Sequence, residues 1–155
     1  MTIEMLEQER NLARKNGNSE RLLVLNDIIA KARAKETAGK KKIALTEQLV
    51  NDTLVEYRKM LKDGIKQMPE GHTVRVMYEE QLDILSEFCP TVLEDEIQIE
   101  NLITKVLYEQ NIEISHKNKG RIMKALMPAL RAEYADMDIA MPIIDFMISQ
   151  AEAAN

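Results

Sequence analysis

Lys117, Lys119, Arg121, Lys124 and Arg131 stand within one stretch, Ser115 to Arg131, that contains no acid. Cations set this closely neutralise phosphates, and a helix amino terminus ringed by lysines can hold one. A second basic run, KARAKETAGKKK, ends in Lys40, Lys41 and Lys42 and contains a single acid, Glu36. The competing reading of both runs is a solvated face on an otherwise acidic protein, because local charge runs are common.

Other reactive residue types form weaker patterns. Glu94, Asp95 and Glu96 look like a carboxylate cluster for acid–base work, but they fall at an expected helix start, where negative charge complements the helix dipole. His72 and His116 stand alone, outside any HExxH, and one cysteine cannot complete a zinc site, so loop or cap roles are expected. Cys89 has no sequence neighbour that would lower its pKa, which favours packing over nucleophilic catalysis. GxxxxGK[ST], GxGxxG and GxSxG are all missing. No catalytic residue, metal or cofactor is therefore assigned.

These side chains need elements to position them. The 155 residues are 45% hydrophobic but only 4% aromatic, with ten Met, five Gly, four Pro and no Trp. That balance favours helices over sheets, and an all-α fold is expected. A net charge of −5 argues against a globally basic nucleic-acid binder while leaving room for a local basic face. Cys89 is the sole cysteine, so no intramolecular disulfide can form and a reducing cytoplasm fits. MTIEMLEQER does not read as a signal peptide, and no apolar run approaches the roughly 20 residues that span a bilayer. No membrane partner is expected.

Apolar spacing places a first helix over Ile3 to Lys15, ended by Gly17 as a left-handed cap. A second opens with Ser19 as N-cap and carries Leu22, Leu25, Ile29 and Ala32. A third follows Thr46, with Val50, Leu54, Tyr57, Leu61, Ile65 and Met68 on one stripe, and stops at PEGH. TVRVMY alternates as a strand would; with no partner strand in sight it reads as the lead-in to a helix through YEEQLDILSEF. CPT at Cys89 to Thr91 marks a break, which divides the chain into subdomains at 1–89 and 90–155. Three further helices are expected, over Glu94 to Asn111, Ser115 to Arg131 and Asp138 to Ala153, as a small antiparallel bundle. Within the middle one sits Pro128, where a helix loses a backbone donor at a cost of about 3 kcal/mol.

The stretch KGRIMKALMPAL, with its Gly-x-x-Met-x-Ala-Leu-Met-Pro, resembles a signature of the GatB/YqeY family. Three more stretches agree in order. NSERLLVLNDIIAKARAKE is similar to the family's Glu-Arg-Leu helix. LDILSEFCPTVLEDEI resembles its Tyr-Leu-Pro hinge, with Phe88 for tyrosine and Cys89 for leucine. EYADMDIAM takes the place of a Gly-Arg-Ala-Asp-Gly turn, and Glu133 to Met137 lose both glycines and the arginine.

The resemblance covers roughly residues 11 to 150. It implies a helical amino-terminal subdomain joined to a three-helix tail, like the parts of the tRNA-dependent amidotransferase B subunit that hold tRNA beside a separate catalytic fold. The expected role is thus a non-catalytic accessory module for tRNA or other RNA, without DNA specificity. One rival is a protein-interaction adaptor whose protein partner docks on a Met-rich apolar surface. A second is an amidotransferase-related activity, which the family name suggests and no motif supports.

Overall fold

The computed structural model describes residues 1–154. Among them are seven α-helices: α1 (Ile3–Lys15), α2 (Ser19–Thr37), α3 (Glu47–Gln67), α4 (Thr73–Ser86), α5 (Glu96–Glu109), α6 (Lys119–Ala132) and α7 (Met137–Ala153). The all-α expectation holds. The chain divides into two compact units, Met1–Pro90 and Thr91–Asn155.

In the first unit, α1 packs on α2, and α2 packs on α3 and α4. The core is aliphatic: Leu6, Leu25, Ile28, Leu54, Leu61 and Leu85 are fully buried. Local chemistry sets the helix ends. Gly17 takes a left-handed φ of 67°, and the N–H groups of Gly17 and Asn18 close on the carbonyls of Arg14 and Ala13. The N-cap of α2 is Asn18, not Ser19: its side chain accepts from the Arg21 N–H at 3.1 Å, and Ser19 is the first helical residue. Thr46 caps α3 by accepting from Leu49 N–H. Met68, which the stripe placed inside α3, is an extended C-cap, as expected for a residue before a proline.

TVRVMY is helical, as expected, despite its strand-like alternation. Helix α4 begins at Thr73, with His72 as N-cap accepting the Val74 N–H on its imidazole Nδ1. Arg75 bonds the Met68 carbonyl at 2.9 Å and Glu79 at 3.0 Å, which fixes the α3–α4 turn. The helices meet closely at Gly64, where an added Cβ would lie 2.6 Å from the Tyr78 ring. Beside that contact a cleft of about 480 Å³ opens between α2, α3 and α4, lined by Leu23, Asp27, Tyr57, Met60 and Tyr78 among others.

Arg21 of the Glu-Arg-Leu stretch braces this unit. Its guanidinium bonds Glu87 just beyond α4 and Glu9 of α1, and lies 4.8 Å over the Phe88 ring.

In the second unit, α5 packs against both α6 and α7. Ile99, Ile103, Ile122, Leu126, Leu130 and Ile144 form its centre. Two of the helices are shorter than expected: α5 starts at Glu96 behind an Asp95 cap, and a 3-10 turn, His116–Asn118, precedes α6, whereas α7 begins one residue earlier, at Met137. Asn111 and Tyr134, at φ of 52° and 50°, end α5 and α6 as Gly17 ends α1.

Candidate nucleic-acid interface

Helix α6 buries Ile122, Leu126 and Leu130, so the positions half a turn away face solvent. On that side Arg121, Lys124, Pro128 and Arg131 follow one another at spacings of three, four and three, and Lys117 precedes them in the 3-10 turn that leads into the helix. All five are exposed. The four cations carry no ion pair among the described residues. From Arg121 to Arg131 the row runs about 15 Å along the helix axis at 1.5 Å per residue.

Lys119 does not belong to the row. Out of step with it, Lys119 lies toward the core side of α6, and its ammonium pairs with Asp145 of α7 at 2.8 Å. The His116 N–H likewise donates to Glu152 of α7 at 2.8 Å. Two acids of α7 therefore hold the turn that leads into α6, and Lys119 is part of that attachment.

Pro128 lies on the exposed face, and α6 continues through it to Ala132. The carbonyl of Lys124, deprived of its usual i+4 donor, is on the side where water replaces the lost bond. Pro142 in α7 is exposed in the same way.

The other basic cluster lies in the first unit. Lys40, Lys41 and Lys42 sit in the irregular connection between α2 and α3 and are exposed. Lys42 is drawn to Glu36 at 3.3 Å, whereas Lys40 and Lys41 have no ion pair among the described residues.

The remaining reactive side chains have structural posts. Asp95 accepts the Gln98 N–H at 2.8 Å as the α5 cap. Burial pushes the Cys89 thiol up to about 11, opposed by the nearby Arg58 charge. Among the described residues, no three His, Cys, Asp or Glu side chains are placed to hold a metal ion, and no helix is long and apolar enough to cross a membrane. The exposed methionines, Met5, Met60 and Met77, stand on three different helices.

Two of the stretches singled out in the sequence meet in space. Leu93, from the hinge stretch, donates to the Tyr134 carbonyl at 3.1 Å and accepts from the Asp136 N–H at 2.9 Å. The hinge exit is thereby tied to the turn between α6 and α7, a link no local pattern announces. These stretches lie within a match to the family described as Yqey-like protein, over residues 3–145. The chain belongs to the YqeY-like family. Against the curated proteins nothing matches. The YqeY-like match takes in α1 to α6 and the first half of α7, hence the whole basic row and the acids of α7 as far as Asp145.

Proposed function

We propose that this YqeY-like chain is a non-catalytic accessory module that holds tRNA, or another RNA, by its phosphates through the outer face of α6. The observation that carries the reading is the row Lys117, Arg121, Lys124 and Arg131, exposed and without ion pairs among the described residues. Beyond Thr91 the sequence has six Lys/Arg against eleven Asp/Glu, and all the cations but Lys105 fall between Lys117 and Arg131. Positive charge in an acidic unit is thus gathered on one helix. Between Lys117 and Arg131 there is no aromatic side chain on which a base could stack, so the contacts position a backbone and read no sequence. Lys40 and Lys41 are a second candidate contact, and the resemblance to the tRNA-holding parts of the amidotransferase B subunit points the same way. With Cys89 the sole cysteine, a reducing cytoplasm suits the chain.

The rivals have less behind them. A Met-rich docking groove would need the exposed methionines to share a surface; Met60 borders the cleft between α2, α3 and α4, and neither Met5 nor Met77 lines it. An amidotransferase-related activity would need a reactive constellation, and Asp95, at the centre of the carboxylate trio, is committed as a cap.

The test is a tRNA titration across salt concentration. Four neutralised phosphates give a log–log slope of about −3, at roughly −0.7 to −0.9 each. Charge reversal at Arg121 and Lys124 together is expected to weaken binding and reduce the slope by about half. No tRNA binding at about 0.1 M salt, or binding indifferent to that reversal, overturns the reading.

A further inference from the structure

The outward face of α5 differs from the charged faces around it. Ile97, Asn101, Thr104 and Tyr108 follow at spacings of four, three and four, which puts them on one side of the helix. The buried residues Ile99, Ile103, Val106 and Leu107 occupy the other side. Ile97 is 70% exposed and Tyr108 85%, and Asn101 and Thr104 lie exposed between them. The centre of the face is uncharged. Its two edges carry opposite charges, Glu100 on one and Lys105 on the other. Lys105 is held only loosely, by Glu109 at 4.0 Å.

A four-three-four spacing is that of a heptad seam. Ile97 and Thr104 take the d positions, Asn101 and Tyr108 the a positions, Glu100 a g position and Lys105 the following e position. We propose that two copies of the chain associate through this face, α5 against α5, parallel and in register. Two features select that arrangement independently. In a parallel pair the g edge of one helix meets the e edge of the other five residues on, so Glu100 faces Lys105 of the partner subunit, twice by symmetry. An antiparallel pair sets like edges together, Glu100 with Glu100 of the partner subunit and Lys105 with Lys105 of the partner subunit. Asn101 at an a position meets its own copy on the axis only when the helices are parallel and in register. Because α5 is already folded on its unit, association does not have to nucleate an isolated short helix. A seam of two heptads with one aliphatic and one aromatic side chain is small, and the dimer is weak and reversible.

The test is sedimentation equilibrium of the full chain. The weight-average mass should rise from 17.8 kDa towards twice that value as concentration increases. Glu100→Lys or Lys105→Glu alone should lower the association constant about tenfold, and the two together should restore it. Tyr108→Asp should abolish association while leaving the circular dichroism unchanged. In a Cys89→Ser background, Thr104→Cys should give a disulfide-linked dimer on mild oxidation, because only the parallel register sets residue 104 against itself. A monomer at every concentration, single charge reversals without effect, a double reversal that fails to restore, or no cross-link at 104 each overturns the proposal. None of these outcomes depends on whether RNA binds.

Discussion

Gly64 is where helix propensity and tertiary packing oppose each other most directly. Alanine in a helix interior is favoured over glycine by about 1 kcal/mol, so Gly64→Ala on its own should stabilise α3. Its Cβ, however, would stand 2.6 and 2.8 Å from two atoms of the Tyr78 ring. Ordinary contact requires the ring to retreat by nearly an ångström, and overpacking of this kind costs about 1–3 kcal/mol. The ring borders the open cleft and can yield into it, which holds the cost near the middle of that range. The expected net effect is a loss of about 1 kcal/mol, roughly 4–8 °C in Tm for a unit of this size. In a Tyr78→Ala background the clash disappears, and the same substitution should stabilise by up to about 1 kcal/mol. The sign reverses, and the coupling is about 2 kcal/mol. Urea denaturation followed by circular dichroism on the four chains of the cycle measures it. Equal stabilisation by Gly64→Ala in both backgrounds would refute the α3–α4 packing described above.

Three further outcomes follow from the backbone and from burial. Tyr134 ends α6 in a left-handed conformation that costs a non-glycine residue about 1 kcal/mol or more, so Tyr134→Gly should be more stable than Tyr134→Ala by about that amount in denaturant titrations. Cys89 titrates near 9 when unfolded and about 11 when folded, so its contribution is intact below pH 9 and is lost between pH 9 and 11 as the unfolded chain alone gives up the proton. The buried Tyr57 phenol, also raised, acts in the same direction, and Cys89→Ala should remove only the earlier part of the alkaline decline. Pro128→Ala should restore the bond to the Lys124 carbonyl and stabilise α6 by about 1 kcal/mol or more without changing the tRNA salt slope; a destabilised variant would make Pro128 a packing residue instead.

The helices were legible in the sequence where their signals are local. Gly17, Thr46 and the stripe from Val50 to Leu61 act through neighbours three or four residues away, and they sit where the spacing put them. The start of α4 was obscured by Val74, Val76 and Tyr78, whose alternation fits a strand as well as the first turns of a helix. Its cap is a histidine, a residue type outside the usual capping set. Proximity in the sequence groups Lys119 with the basic row, although its phase on the helix separates it from Arg121, Lys124 and Arg131. Arg21 and Leu93 were beyond reach: Glu87 is 66 residues from Arg21, and the turn that binds Leu93 follows two intervening helices. Contacts of that range leave no periodic trace in a single sequence.

Charge segregation in the second unit decides how its basic row can work. Taken together, six cations and eleven acids leave it at −5. A phosphate at the row meets a cation at about 4 Å, worth about 1 kcal/mol even in water. The net negative charge of the unit acts from farther off. Outside the row stand eleven acids and two cations, Lys105 and Lys119; at about 20 Å each of the excess acids opposes binding by about 0.2 kcal/mol unscreened, so together they rival about two contacts. At 0.15 M salt the Debye length is about 8 Å, and the distant repulsion falls more than tenfold while the contacts at 4 Å survive. At 0.01 M the Debye length is about 30 Å, and about half of the repulsion remains. The two fields therefore have different ranges, and salt removes the unfavourable one first. A steep loss of affinity belongs above about 0.1 M, and below it the curve should flatten, unlike that of a uniformly basic protein, whose affinity keeps rising as salt is withdrawn.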